Sequence, residues 1–180
     1  MILVVAATER ELDGVRGADT LVCGIGPVEA ALATARAIAA RRPGAILHVG
    51  IAGAKRLEPP ALVLGADSVY CDIADERALI PRVERVAPDP ALLAAAQRAL
   101  PEAHVLPIAT AASVGGGTRC EVEAMEGFGV LRAAALAGVP AVELRAVSNA
   151  IHELERTRWR FDDALAALRE AVPRVLEALA

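Results

Sequence analysis

Three short apolar runs decide what this chain can fold into. ILVVAA at 2–7, AILHV at 45–49 and AVELRAV at 141–147 are too short for core helices. The first two are also too continuous for strands with one wet face. Runs of this kind are strands buried on both sides, which places helices over both faces of a sheet and favours parallel pairing. Each run gives way to residues of another kind: Thr8-Glu9-Arg10-Glu11 after the first, Gly50-Ile51-Ala52-Gly53 after the second, Ser148-Asn149 after the third. Ligands of α/β sheets meet the protein at strand ends, so the three endings read as one composite site.

The 180 residues suit one domain over 1–180, with a core of its own. Hydrophobic residues make up 55% of the chain and aromatic residues 2%, so Ala, Val, Leu and Ile must fill that core. Ala-rich helices over a sheet answer that composition. A net charge of −4 supplies no basic field. With few aromatic platforms as well, nucleic-acid binding is not expected. Cys23, Cys71 and Cys120 are odd in number and far apart, without a CxxC or a zinc spacing. They fit a reduced, cytoplasmic setting. Met1 leads directly into ILVVAA with no basic segment, which reads as a first strand rather than a signal peptide. No apolar run reaches a membrane span without polar interruption.

Strands are expected at 2–7, 20–23, 45–49, 62–64, 68–71, 105–109 and 141–147. Thr8 is a candidate cap for a short helix over Thr8–Glu11. Pro27 opens a helix whose buried face is expected to carry Val28, Ala31, Leu32, Ala35, Ile38 and Ala39, and Arg41-Arg42-Pro43-Gly44 stops it. Further helices are expected over 91–99, 121–137 and 161–179, the last with a stripe of Phe161, Leu165, Leu168, Val172, Val175, Leu176 and Leu179. Ser113–Thr118 reads as a flexible loop. The alternation predicts a three-layer α/β fold around a mixed, mostly parallel sheet.

Gly24-Ile25-Gly26 after a strand invites a dinucleotide-binding reading, but the third glycine of GxGxxG would fall on Glu29. A tight strand-to-helix turn is the better account. Glu9 and Glu11, taken alone, read as a solvated helix start. Glu126 differs, because Met125 and Gly127 flank it and the following apolar helix carries it toward the sheet. A carboxylate there suits the vicinal hydroxyls of a ribose, which it accepts in a bidentate way. His48, His104 and His152 have no metal spacing, and His48 within ILHV reads as a satisfied strand residue.

AATERE, GIGPVEAA, VGIAGA, the MEG helix and VELRAVSN, in that order, resemble the nucleoside phosphorylase/nucleosidase superfamily. Within it, the tail SNAIHELERTRW is similar to the futalosine hydrolase branch, with the methylthioadenosine/adenosylhomocysteine nucleosidases as near neighbours. The resemblance implies the phosphorylase fold and hydrolysis of a purine nucleoside, with release of hypoxanthine from futalosine in menaquinone synthesis. It implies Glu11 as the carboxylate that activates water and Glu126 as the one that binds the ribose hydroxyls. Met125 would pack under the sugar, and Ala52 and Gly53 would lie along base or ribose. Ser148 and Trp159 join the substrate contacts. Asn149 stands where the adenine-specific nucleosidases carry an aspartate, and an amide can donate to the O6 of a 6-oxopurine. His48 and Ile51 stand where the phosphorylases hold phosphate, which points to water as the nucleophile. No metal or organic cofactor is implied, and a homo-oligomer is expected. An adenine-specific nucleosidase and a non-catalytic nucleoside-binding protein are the alternatives.

Overall fold

Leu3 and Val5 pack into one apolar cluster, Val4 and Ala6 into another, and all four are fully buried. The first run is therefore a strand covered on both faces. A computed structural model describes residues 1–73, 81–115 and 118–180. Among them the strands are β1 (Ile2–Ala6), β2 (Asp19–Val22), β3 (Ala45–Ala54), β4 (Leu62–Tyr70), β5 (Arg85–Val86), β6 (His104–Thr110), β7 (Val122–Ala124) and β8 (Ala141–Ala150). The helices are α1 (Pro27–Arg41), α2 (Pro90–Ala99), α3 (Gly127–Ala137) and α4 (Phe161–Leu179). Single 3-10 turns stand at Glu9–Leu12 and Arg156–Arg158.

The sheet runs β2-β1-β3-β7-β6-β4-β5, and β8 pairs with both β3 and β4. Pairings β1–β2, β1–β3, β3–β8, β4–β6 and β6–β7 are parallel, while β3–β7, β4–β5 and β4–β8 are antiparallel. The expected mixed, mostly parallel sheet is what forms. Because β8 bridges β3 and β4, the path β3-β7-β6-β4-β8 returns to its start, so the centre of the sheet is a closed ring. Helices α1 and α3 cover one face over Leu3, Val5, Ile46, Val130 and Leu131. Helices α2 and α4 cover the other over Val4, Leu47, Leu144, Leu168 and Val172. A third cluster of Ala52, Ala54, Val63, Ile108, Val122, Ala124 and Val147 comes from the ring strands.

Helix α4 has the predicted bounds, with Leu165, Leu168, Val172 and Val175 buried. Four expectations are corrected. Residues 62–64 and 68–71 belong to one strand, β4, irregular between Gly65 and Ser68. The third and last strands run on to Ala54 and Ala150, because each supplies the other's partner along that length. The helix expected from 121 begins at Gly127, and Val122–Ala124 are instead a strand held between β3 and β6. The face of α1 is also different: Ala30, Thr34, Ala37 and Ile38 are buried, while Val28 and Leu32 are 64% and 60% exposed. An Ala-rich helix is apolar on several sides, so its rotation is set by what it packs on. Here Gly129 of α3 lets that helix meet the Pro27 carbonyl directly. The loop expected at Ser113–Thr118 lies partly outside the described residues.

Candidate functional site

The ends of β1, β3, β7 and β8 open into a cavity of about 390 Å³. Glu11 reaches it from the turn after β1, Ala52 and Gly53 from β3, and Met125 and Glu126 from the link between β7 and α3. Ser148 and Asn149 come from β8, and Trp159 from the segment before α4. All eight residues singled out in the sequence line this one space.

Glu11 is buried and held by three donors. Its Oε2 accepts the Thr8 N–H and the Thr8 hydroxyl, each at 2.9 Å, and its Oε1 accepts the Ile51 N–H at 3.0 Å. Three donors leave one of its roughly four acceptor positions for another partner. Thr8 does stand as the cap of this turn.

Glu126 stands at the start of α3, and its Oε1 accepts the Gly26 N–H at 3.1 Å. Gly26 has φ +96°, a conformation that a side chain would strain. The Gly24-Ile25-Gly26 turn thus serves to aim a backbone donor at Glu126, and the dinucleotide reading falls away. Burial raises the Glu126 pKa above its ordinary 4.5, against the pull of Arg145 and of the Gly26 N–H.

Beneath the two carboxylates lies a residue that the sequence reading passed over. Arg145 is 1% exposed. Its Nε donates to Glu143 Oε1 at 2.8 Å, its Nη1 lies 3.5 Å from Glu126 Oε2, and its Nη2 meets His48 Nε2 at 2.5 Å. Burial by itself would lower the guanidinium pKa, but Glu143, Glu126 and Glu11 together raise it. His48 is neutral: burial, then Arg145, pushes its pKa well below 6.5. It therefore donates from Nδ1 to the Val5 carbonyl at 3.0 Å and accepts Arg145 at Nε2. It is the satisfied strand residue that the sequence suggested. The signal for Arg145 was present as two opposite charges, Glu143 and Arg145, two apart in an apolar strand. That spacing puts both on one face.

Pairing between β3 and β8 slips after Ala52, so that Ala52 faces Val147 while Gly53 faces Asn149. Such a bulge re-aims side chains. Ser148 donates its hydroxyl to Asn149 Oδ1 at 2.8 Å, and Asn149 Nδ2 donates to the Ala150 carbonyl at 2.9 Å. Each end of the amide keeps capacity for one further bond. Trp159 is held by its Nε1–H on the Glu153 carbonyl at 2.8 Å, with Phe161 at 5.3 Å and the Arg156 guanidinium 5.7 Å from its ring. Arg10, Glu123 and Arg156 also line the cavity, and none was singled out as a site residue beforehand.

A sequence profile of the phosphorylase superfamily matches residues 20–180. Futalosine hydrolase of Streptomyces coelicolor is 36% identical, over 91% of this chain and 80% of its own length. Among solved structures, a methylthioadenosine/adenosylhomocysteine nucleosidase of Colwellia psychrerythraea in complex with adenine superposes with a TM-score of 0.87 at 20% identity, over 99% of this chain and 95% of the other. A futalosine hydrolase mutant of Helicobacter pylori superposes with a TM-score of 0.83 at 20% identity, over 99% and 97%. At those identities the superpositions speak for the fold. No helix among the described residues is long and apolar enough to cross a membrane.

Proposed function

The chain belongs to the phosphorylase superfamily, and from that premise we propose that it is an N-ribosyl hydrolase that frees hypoxanthine from futalosine in menaquinone synthesis. The observation that carries this reading is the pair of buried carboxylates, Glu11 and Glu126, in one cavity with an amide rather than an acid at Asn149. The 36% identity to a futalosine hydrolase supports the same substrate.

Departure of a purine from ribose passes through an oxocarbenium-like sugar. The carboxylates Glu11 and Glu126 line the cavity and suit such a cation. Glu11 uses its remaining acceptor position to take a proton from water at the anomeric carbon. Glu126, anchored by Gly26 and Arg145, offers its free lone pairs to the ribose hydroxyls, over Met125. Ala52 and Gly53 border base and sugar. Ser148 orients the Asn149 amide, which donates to the departing base. Trp159 closes the 5′ end of the nucleoside. Ile51 places an alkyl group where a phosphate ligand would be needed, and His48 is already engaged by Val5 and Arg145. Water is thus the nucleophile.

The protein acts in the cytoplasm as a homo-oligomer, without nucleic acid or membrane partners. Ile25 at the cavity rim and Val28 and Leu32 in the first turns of α1 are exposed apolar residues, which a second copy of the chain would cover.

Base release from futalosine, inosine and methylthioadenosine, measured side by side, tests the reading. Hypoxanthine from futalosine, as the fastest reaction and with free sugar as co-product, is the expected result. Preference for methylthioadenosine would return the adenine-specific nucleosidase, a sugar 1-phosphate would make the protein a phosphorylase, and binding without release would make it a nucleoside-binding protein.

A further inference from the structure

Glu143 is fully buried in β8, does not border the cavity, and takes no part in the proposed chemistry. We infer that Glu143 is a positioning residue: it takes up the Arg145 guanidinium beneath the cavity and so leaves Glu126 free to bind the ribose hydroxyls. The inference rests on reading the cavity as a nucleoside site.

The fold makes room for this pair. Val142, Leu144 and Ala146 project into the cluster under α2 and α4, so Glu143 and Arg145 project the other way. A methyl group at Gly127, the residue after Glu126, would collide with both Glu143 carboxylate oxygens, and one at Gly65 would come within 3.3 Å of the Glu143 Cβ. A methyl group at Gly50 would collide with Arg145 Nη1 and lie 2.9 Å from Glu11 Oε1. Glycine thus stands at each point where the pair passes close to backbone. Glu143 Oε2 has no hydrogen-bond partner among the described residues. A buried ion pair with an oxygen left over is a poor way to hold strands together, since an apolar pair of the same volume often does as well or better. The need for the pair lies in what Arg145 touches.

Two distances show how the guanidinium is shared. Arg145 Nε donates to Glu143 Oε1 at 2.8 Å, a charge-assisted hydrogen bond, while Nη1 stands 3.5 Å from Glu126 Oε2, beyond good hydrogen-bond reach. Glu126 Oε1 already accepts the Gly26 N–H, so Oε2 is the oxygen left for a hydroxyl. Burial works against the guanidinium, and Glu143 is first among the charges that offset it, ahead of Glu126 and Glu11. A buried cation cannot stay unpaired. Without Glu143, Arg145 would turn to Glu126 as its main partner and occupy Oε2. Among the described residues, the charged and titratable groups facing Glu126 are Arg145 and Glu143 from β8, Glu11 from the turn after β1 and the Cys23 thiol just past β2, while His48 of β3 is neutral. Burial raises the Glu126 pKa, Arg145 lowers it, and Glu11 and Glu143 raise it further.

The test measures kcat and KM against pH for base release from futalosine and its 2′-deoxy analogue, in the native protein, in Glu143→Gln and in Glu143→Asp. Glutamine keeps an acceptor for the Arg145 Nε–H and loses the charge. Glu143→Gln is expected to lower kcat/KM on futalosine roughly 10-fold, the range for one hydrogen bond to a charged group, with less effect on the 2′-deoxy analogue. Its acid limb of kcat/KM is expected to move to lower pH, because the pull of Arg145 on Glu126 grows while the push of Glu143 is gone. An acid limb that stays in place in Glu143→Gln, or an equal loss on both substrates, overturns the inference and leaves the site reading intact, since a merely structural residue would act that way. Should Glu143→Gln not fold, Glu143→Asp decides. Its side chain is too short to hold Arg145 in the same place, so a loss concentrated on the ribose substrate supports the inference, and native kinetics or an equal loss on both substrates overturns it. A native protein that releases no base from either substrate fails the site reading and takes this inference with it.

Discussion

Replacing Glu11 by Gln would leave its turn in place and remove the base. Turnover is expected to fall roughly 10²- to 10⁴-fold while nucleoside still binds, as measured by steady-state kinetics alongside a binding titration. Glu9→Gln is the control, since Glu9 is exposed and does not line the cavity, and unchanged turnover in Glu11→Gln would remove Glu11 from the mechanism. Two pH effects also belong to single side chains. Burial raises the Glu126 pKa, so protonation that weakens ribose binding should begin above 4.5, and the acid limb of kcat/KM should lie above that value. His48 works in the opposite direction on stability. Its folded pKa lies below 6.5, so below that pH the unfolded chain binds the extra proton. The stability it contributes is complete above 6.5 and is lost as pH falls toward the folded value. Denaturant unfolding at pH 5.5 and 7.5 should show this loss, and His48→Gln should flatten it. Glu11 and Asn149 were legible in the sequence as polar residues just past apolar runs, and Glu126 as a carboxylate between Met125 and Gly127 at the head of an apolar helix. Arg145 was missed although its alternation with Glu143 was visible, because charged residues in a strand more often face water.

At the scale of elements, α1 and α3 carry the site between them. Gly26 at the entry to α1 holds Glu126 at the entry to α3, and the helices touch where Gly129 meets Pro27. A methyl group at 129 has no room against that carbonyl. Gly129→Ala is expected to lower stability by about 1–3 kcal/mol, read as a lower denaturant midpoint at unchanged slope. It should also weaken ribose binding, because spreading the helices draws the Gly26 N–H away from Glu126. Full stability in Gly129→Ala would mean that the helix contact is looser than the structure has it. The helices were legible in number and order. The phase of α1 was not, since alanine offers little contrast between its faces. The strand Val122–Ala124 was not legible either, because three residues have no period to read and acquire their conformation from β3 and β6.

For the whole molecule, the exposed apolar residues Ile25, Val28 and Leu32 set the expectation for assembly. Val28→Glu combined with Leu32→Glu should convert an oligomer to a monomer in sedimentation experiments and lower activity, since Ile25 stands at the cavity rim. A native monomer at micromolar concentration would dismiss the homo-oligomer.

Local chemistry by itself determined a sheet buried on both faces, helices between the strands, acidic and polar residues at strand ends, and an amide at 149. All of these follow from burial preference and hydrogen-bond type, which each residue carries wherever it sits. Tertiary structure alone decided the closing of the sheet through β8, the rotation of α1, and the gathering of Glu11, Glu126, Glu143 and His48 around Arg145. Those depend on register between strands that lie far apart in the chain, and register is settled only when the helices dock and the ring closes.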